Sequence, residues 1–568
     1  MKKVKKTISV CLFMLGLFLA AEKGSAQTIS SHLFGVNAWM PDTIGDANNC
    51  QDPPCIRRGK LHQNWKKVKD SKAVMVRYGG IGPDKNMPTN YQYIRMIDSI
   101  RANGMEPVIQ VPYYNGRYTA QQAANIVQYI NVTKGRNVKY WIIGNEPNLS
   151  YSYTTAAQIA AYFKPFASAM KNVDPTILIV GPETASFKQT MITDLTTPGG
   201  PSDITGKDAA GRYYLDVFTF HTYPMQTGTS SRAQVISKLT DPGSFQDDLG
   251  YLGTRLANCD AFHNRTGSST LKMAVTEANV NYTNSPSDDL YGVGANSFLG
   301  GQFVAEMFGI AMKKGVDFIN LWSVIEGSNS IMDNCGYIDP LTGNKKPIYY
   351  HFKMMAENFK GSSKNCTSNQ LNVKTFGCKS SQEITVMLMN EELTTNFNYT
   401  VRLNTGAVSG TNPLKLTIDA GLALEHSGTI SAQSTLILTF NSSGALIRKT
   451  EYSLMDQAVA NLAPLVMQYG ATGISDVNGP GSGIFEMNVF PNPTEGKFTI
   501  ALSRGPAEDK DFEIELINLL GQQVYHKKSE FRDGKEEIML EDGTAQGVYI
   551  LNVKQGEMIT TKKLMLNK

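Results

Sequence analysis

Apolar residues along this chain gather in short runs separated by longer stretches of helical periodicity. Residues 32–39, 72–80, 107–112, 140–143, 176–183, 215–224, 271–279 and 316–322 read as strands. Tyr140 to Ile143 shows no period-two alternation, as expected of a strand covered on both faces in a parallel sheet. Helical periodicity runs over 91–103, 120–132, 154–172 and 297–314, the first stopping at Gly104, where a left-handed cap costs little. The βαβα order calls for a parallel sheet. Eight strand–helix units over 28–358 suit a closed α/β barrel with long loops at one mouth, since the bare fold needs about 250 residues. A doubly wound open sheet is the rival, but no Gly-rich phosphate loop follows the first strand.

After Gly361 the pattern changes. Strand-like pieces at 370–375, 383–389, 399–403, 414–418 and 435–440 alternate with Asn, Ser and Gly turns, which predicts a small β-sandwich over 362–448. Residues 449–484, ending in Gly479-Pro-Gly-Ser-Gly483, are expected to be a linker. Residues 485–568 read as a further small all-β module.

Composition narrows the class. A chain of 568 residues calls for two or three domains, and its 41% apolar content supplies their cores. A formal charge of +4 is too small to suggest a nucleic-acid partner. Residues 1–26 combine a basic start, an apolar stretch and a small-residue cleavage site, the pattern of an export signal. No later stretch is long and apolar enough to span a membrane. Six cysteines remain after that signal, and in an exported protein the nearest pairs, Cys50 with Cys55 and Cys366 with Cys378, are candidates for disulfides. A zinc site is the weaker reading, because the cysteines have neither Cys-x-x-Cys spacing nor clustered histidines. No metal or other cofactor is expected, and a monomer is.

The candidate chemistry lies where strands end. Glu146 follows the 140–143 run, and Pro147 biases it away from the helical region, so its carboxylate is expected to project from the strand's C-terminal end. Beside Trp141 and Ile143 it would lose water contact, which favours a protonated acid. Glu277 closes the 271–279 strand in the same way. Two glutamates so placed are what acid-assisted, nucleophilic cleavage of a glycoside requires. Glu183 and Glu326 also end strands and are the rival nucleophiles.

Trp141-Ile-Ile-Gly-Asn-Glu-Pro-Asn148, followed by Thr276-Glu277, resembles the retaining glycoside hydrolases of clan A. Its wording is closest to the β-xylosidase and iduronidase family and similar to the heparanase and β-glucuronidase family. The resemblance implies a (β/α)8 TIM barrel, with Glu146 as acid/base at strand four and Glu277 as nucleophile at strand seven. It also implies that the Asn145 amide binds the sugar's 2-hydroxyl. Arg77, at the end of the second strand, would hold Glu277 ionised if it lies nearby. His221 and Tyr223 sit two apart and so face one side, and the clan often sets such a pair under the nucleophile or against the sugar. Trp322 offers a flat apolar surface to a sugar ring. Asn37 and Trp39 at the end of the first strand complete the substrate-binding candidates, with Tyr113 and Tyr114 as weaker ones.

The C-terminal motifs Val489-Phe-Pro-Asn-Pro-Thr-Glu-Gly, Ile514-Glu-Leu-Ile-Asn-Leu-Leu-Gly and Gly547-Val-Tyr-Ile-Leu-Asn-Val553 resemble the sorting domain read by the type IX secretion machinery of Bacteroidetes. That implies export to the cell surface or beyond. Export makes a polysaccharide or oligosaccharide the expected substrate, and the resemblance to clan A implies a β-linked one, cleaved by an endo-β-glycanase. The alternatives are an exo-acting xylosidase or uronidase, or a non-catalytic surface protein that binds glycans on the same scaffold.

Overall fold

Eight parallel strands close on themselves in chain order, each pairing with its neighbours and the last with the first. The computed structural model describes residues 27–38, 61–149, 155–227, 230–326, 335–340, 342–469 and most of 486–567. The expected signal peptide, Cys50, Cys55 and Trp39 lie outside the described residues. The strands are β1 (Phe34–Asn37), β2 (Met75–Tyr78), β3 (Glu106–Val111), β4 (Tyr140–Ile143), β5 (Leu178–Thr184), β6 (Val217–Thr222), β7 (Lys272–Ala278) and β8 (Phe318–Leu321).

Their side chains divide between two apolar compartments. Met75, Val108, Tyr140, Ile142, Val180, Val217, Ala274 and Phe318 fill the barrel interior. Trp141, Ile143, Ile109, Phe218 and Val275 face outward into the larger core beneath the helices. This two-sided burial is why β4 reads as an unbroken apolar run. It also corrects the expectation for Glu146: Trp141 belongs to the outer layer, where its Nε1 donates to the Val138 carbonyl at 2.9 Å, and it does not shield the carboxylate. The helix Asn90–Ala102 begins in a reciprocal Thr89–Gln92 capping box, and Gly104 beyond its end takes φ +78°.

The chain continues into two antiparallel-rich sheets of four and six strands. Val386, Leu388, Leu436 and Leu438 point between them, toward Tyr399, Val401, Leu414 and Leu416. Alternate residues of the same strands, Met387, Met389 and Ile437, join the barrel's outer core. Gln302 on the helix Phe298–Lys314 donates to the Ser434 carbonyl at 3.1 Å, and His351 Nε2 meets Thr435 Oγ1 at 2.9 Å, so the joint is hydrogen-bonded as well as apolar. Residues 27–29 also belong to it. Thr28 bridges Ser362, and Ile29 donates to the Gly361 carbonyl at 2.8 Å.

Two expectations are corrected here. Leu446–Ser453 and Leu465–Gln468 are the last two strands of the six-stranded sheet, so much of the segment expected as a linker is sheet. Their charged and exposed residues hid that. Cys366 and Cys378 are free thiols. Cys366 packs against the core between the two sheets, whereas Cys378 points into the barrel's outer core.

The strands from 486 to 566 form two further sheets around a core of their own, including Phe498, Ile500, Leu516, Leu551 and Val553. Among the described residues, no helix is long and apolar enough to cross a membrane.

Candidate active site

Polar residues of strand after strand converge at the C-terminal mouth of the barrel. Arg77 on β2 is their hub. Its Nη1 donates to Glu277 Oε1 at 2.9 Å and to Asn37 Oδ1 at 2.8 Å. Its Nη2 donates to Asn145 Oδ1 at 2.8 Å and to Glu183 Oε2 at 2.5 Å. Four partners, from β1, β5, β7 and the turn just after β4, are thus held by one fully buried guanidinium, which only a planar fork of donors can do.

His221, at the end of β6, is the second hub. Nδ1 lies 2.9 Å from Glu146 Oε1 and 3.5 Å from Glu277 Oε2, and Nε2 lies 3.6 Å from Glu183 Oε2. Tyr223 donates to Glu277 Oε2 at 2.9 Å. Glu146 and Glu277, predicted far apart in the chain, therefore share one imidazole. With His221 they offer one ligand atom each within a 4.8 Å group.

The backbone bends to achieve this. Gly144, Glu146 and Glu183 take φ of +72°, +46° and +58°. The expected extended conformation of Glu146 gives way to a left-handed one, and its amide donates to the Glu183 carbonyl at 3.0 Å. Left-handed non-glycine residues are uncommon and cluster at functional sites.

The electrostatics follow from the contacts. Burial opposes charge on His221, but Glu277, Glu146 and Glu183 outweigh it and raise its pKa to about 10. Burial likewise opposes charge on Glu183, yet Arg77 and His221 bring it down to about 2. Arg77 stays charged because the pull of Glu183 and Glu277 exceeds the cost of burying it. Glu277 moves the other way. Burial, with Glu146 and Glu183 nearby, raises its pKa against the pull of His221 and Arg77. The contact expected between Arg77 and Glu277 is present, but burial offsets its effect on protonation. In the trio of Glu146, His221 and Glu277, Arg77 already donates to Glu277, and His221 Nδ1 meets Glu146 at 2.9 Å.

The remaining candidates separate into layers. Asn37 was expected to touch substrate, but it is buried and its amide is spent. Nδ2 donates to the Thr276 and Asn320 carbonyls, both at 2.9 Å, while Oδ1 receives Arg77. It is a positioning residue. Glu183 lies fully buried beneath Arg77, and Glu326 accepts from Trp322 Nε1 at 2.7 Å and from the Cys335 amide at 2.8 Å. Both rival nucleophiles are thus committed to holding neighbours. Trp322 is half-buried over Gly80: a Cβ built on Gly80 would stand 3.2 Å from the indole and 3.8 Å from Glu277 Oε1. Tyr113 stacks on Tyr162 at 3.8 Å, which covers one face of its ring.

Asp84 was not foreseen. Its carboxylate accepts from the Tyr113 and Tyr114 amides at 2.9 and 3.1 Å, fixing the loop after β3. Burial raises its pKa to about 7 despite those amides. Nothing in the local pattern marks it, since the five-residue helix Ile81–Lys85 that carries it is too short to show helical periodicity.

With that geometry in place, comparison with known proteins adds two findings. Residues 488–567 match the family model of the secretion system C-terminal sorting domain. The chain carries a type IX sorting tail and is exported through that system to the cell surface or outside. Among solved structures, a family 51 α-L-arabinofuranosidase from Bifidobacterium longum is similar at 14% identity and a TM-score of 0.51, covering 73% of this chain and 96% of its own. A monomeric β-xylosidase from Caulobacter crescentus is similar at 13% identity and a TM-score of 0.50, covering 74% and 98%. These likenesses show the fold, an eight-stranded parallel barrel followed by β-sheets. No curated protein matches the sequence.

Proposed function

We propose that this exported protein is a retaining glycoside hydrolase that cleaves a β-linked polysaccharide or oligosaccharide, acting within the chain. The observation that carries the reading is the meeting of Glu146 and Glu277, from the ends of β4 and β7, with an oxygen of each inside one 4.8 Å group. Retaining enzymes need their carboxylates about 5 to 5.5 Å apart, whereas inverting ones leave ~6.5 Å or more for a water.

In this mechanism Glu277 attacks the anomeric carbon as Glu146 protonates the departing oxygen. Tyr223 and Arg77 hold one Glu277 oxygen each and aim the carboxylate at the sugar. In that first step Glu146 gives its proton to the departing oxygen and is left as a carboxylate. Glu146 can then take one from the water that releases the sugar. Arg77 occupies the Asn145 oxygen, leaving the amide's NH2 end for the substrate's 2-hydroxyl.

The test is a panel of aryl glycosides and β-glycans with wild type, Glu146→Gln and Glu277→Gln. Wild type is expected to release product of retained configuration by proton NMR, Glu277→Gln to be inactive, and Glu146→Gln to lose about 10²- to 10⁴-fold on poor leaving groups. Inverted product refutes the double displacement. Binding of glycans by all three proteins without cleavage refutes the enzyme.

A further inference from the structure

We propose that Tyr282 is the platform for the sugar unit on the leaving-group side of the scissile bond, so that the site selects oligomeric over small aglycones; this rests on the hydrolase reading above. Around the barrel, the strands of Glu146 and Glu277 divide the mouth into two arcs, β5 and β6 on one and β8, β1, β2 and β3 on the other. Trp322 and Gly80 wall the second arc against Glu277. The transferred sugar sits there, and the rest of a chain crossing the carboxylates leaves toward the first arc.

Tyr282 stands on that exit path. It lies in the loop after β7, but that loop is tied to the loop after β6: Met225 donates to the Val280 carbonyl at 2.9 Å and Tyr282 to the Gln226 carbonyl at 3.0 Å. The Tyr282 ring meets Tyr223 nearly at right angles, 86° with centroids 6.1 Å apart, and Tyr223 holds Glu277. Tyr282 is nevertheless 53% exposed. A large aromatic surface is thus kept in water one ring beyond the nucleophile's own hydrogen-bond donor.

The platform is also pre-set. Asn281 Nδ2 donates to the Thr283 carbonyl at 2.6 Å and to Asn284 Oδ1 at 2.9 Å. Asn279 Nδ2 donates to the Cys335 carbonyl at 3.0 Å and also to the Trp322 carbonyl, while its Oδ1 receives the Val280 amide at 2.7 Å. One amide thus ties the Trp322 backbone to the start of the loop that carries Tyr282. A loop whose backbone is already fixed presents its aromatic ring to a sugar with less left to order.

The experiment compares wild type, Tyr282→Ala and Tyr282→Phe on cello- and xylo-oligosaccharides of two to six units and on glycosyl fluorides of the same sugars. The fluorides leave without a ring to stack. For Tyr282→Ala the ratio of kcat/KM on oligosaccharide to kcat/KM on fluoride is expected to fall about tenfold or more, with Tyr282→Phe within about threefold of wild type. An unchanged ratio, or equal loss on both substrates, overturns the platform. If wild type turns over neither these substrates nor any member of the panel above, the hydrolase reading itself falls, and the platform with it.

Discussion

Replacing Arg77 with methionine tests the organisation of the whole mouth. The substitution keeps most of the volume but removes four hydrogen bonds, two of them to carboxylates. Glu183, without exposure to solvent, would keep only His221 as a counter-charge. Breaking a buried ion pair by removing one partner typically costs about 3–5 kcal/mol, because the stranded charge stays desolvated. A unit this large shifts by about 2 °C or less per kcal/mol, so the barrel's melting temperature should drop by about 5 °C. Arg77→Met combined with Glu183→Gln removes the stranded charge and should recover more than half of that loss. Neither protein should be active, since Asn145 Oδ1 and Glu277 Oε1 lose their Arg77 donor and only Tyr223 still holds Glu277. The assays are differential scanning calorimetry and kcat/KM on the best substrate of the panel. A single variant that melts within about 1 °C of wild type, or a double variant no more stable than the single, would refute the claim that Arg77 bears the buried charge of this site.

Three further outcomes follow from the same contacts. The charge on His221 stabilises the fold fully below its ordinary value of 6.5, and that stabilisation drains as pH rises through about 10; the contribution of Glu183 is present above its ordinary 4.5 and is lost as pH falls through about 2. Melts from pH 4 to 11 should therefore hold and then decline on the alkaline side, and His221→Asn should flatten that decline. Gly80→Ala puts a methyl against Trp322 and Glu277 at φ +104°, so activity should be lost along with about 1 kcal/mol or more of stability, read by kinetics and melting together. Deleting 488–567 removes a module with its own core; cell fractionation should find the truncated protein folded and retained inside the outer membrane.

Much of this was legible in the chain. The barrel strands were visible because burial on both faces makes them apolar runs, and Glu146 and Glu277 because each ends such a run. The helix Phe245–His263 was not. Phe245, Leu249, Leu252, Leu256 and Cys259 do recur at helical spacing, but Gly250 and Gly253 between them read as breaks. The strand Glu425–Ile430 is mostly polar and pairs at a sheet edge, where no burial pattern forms. In the site, reading strand ends supplied Arg77 and His221 but not their division of labour. That Asn37 braces Arg77 rather than meeting substrate depends on three partners more than 35 positions away. Asp84 depends on backbone amides, which no side-chain pattern encodes.

The bridge between Thr28 and Ser362 has a consequence for how the chain is made. Together with the pairing of β1 to β8, it assigns the earliest described residues to partners that emerge only after more than 280 others. A polypeptide threaded out of a translocation pore cannot complete its ring from the front. The leading strand must wait, unpaired along one side, until the eighth arrives, and that loop closure should govern the folding rate. During this interval the exposed edge is open to strangers, so periplasmic holding factors should matter more to this protein's yield than to that of a helical protein of equal length.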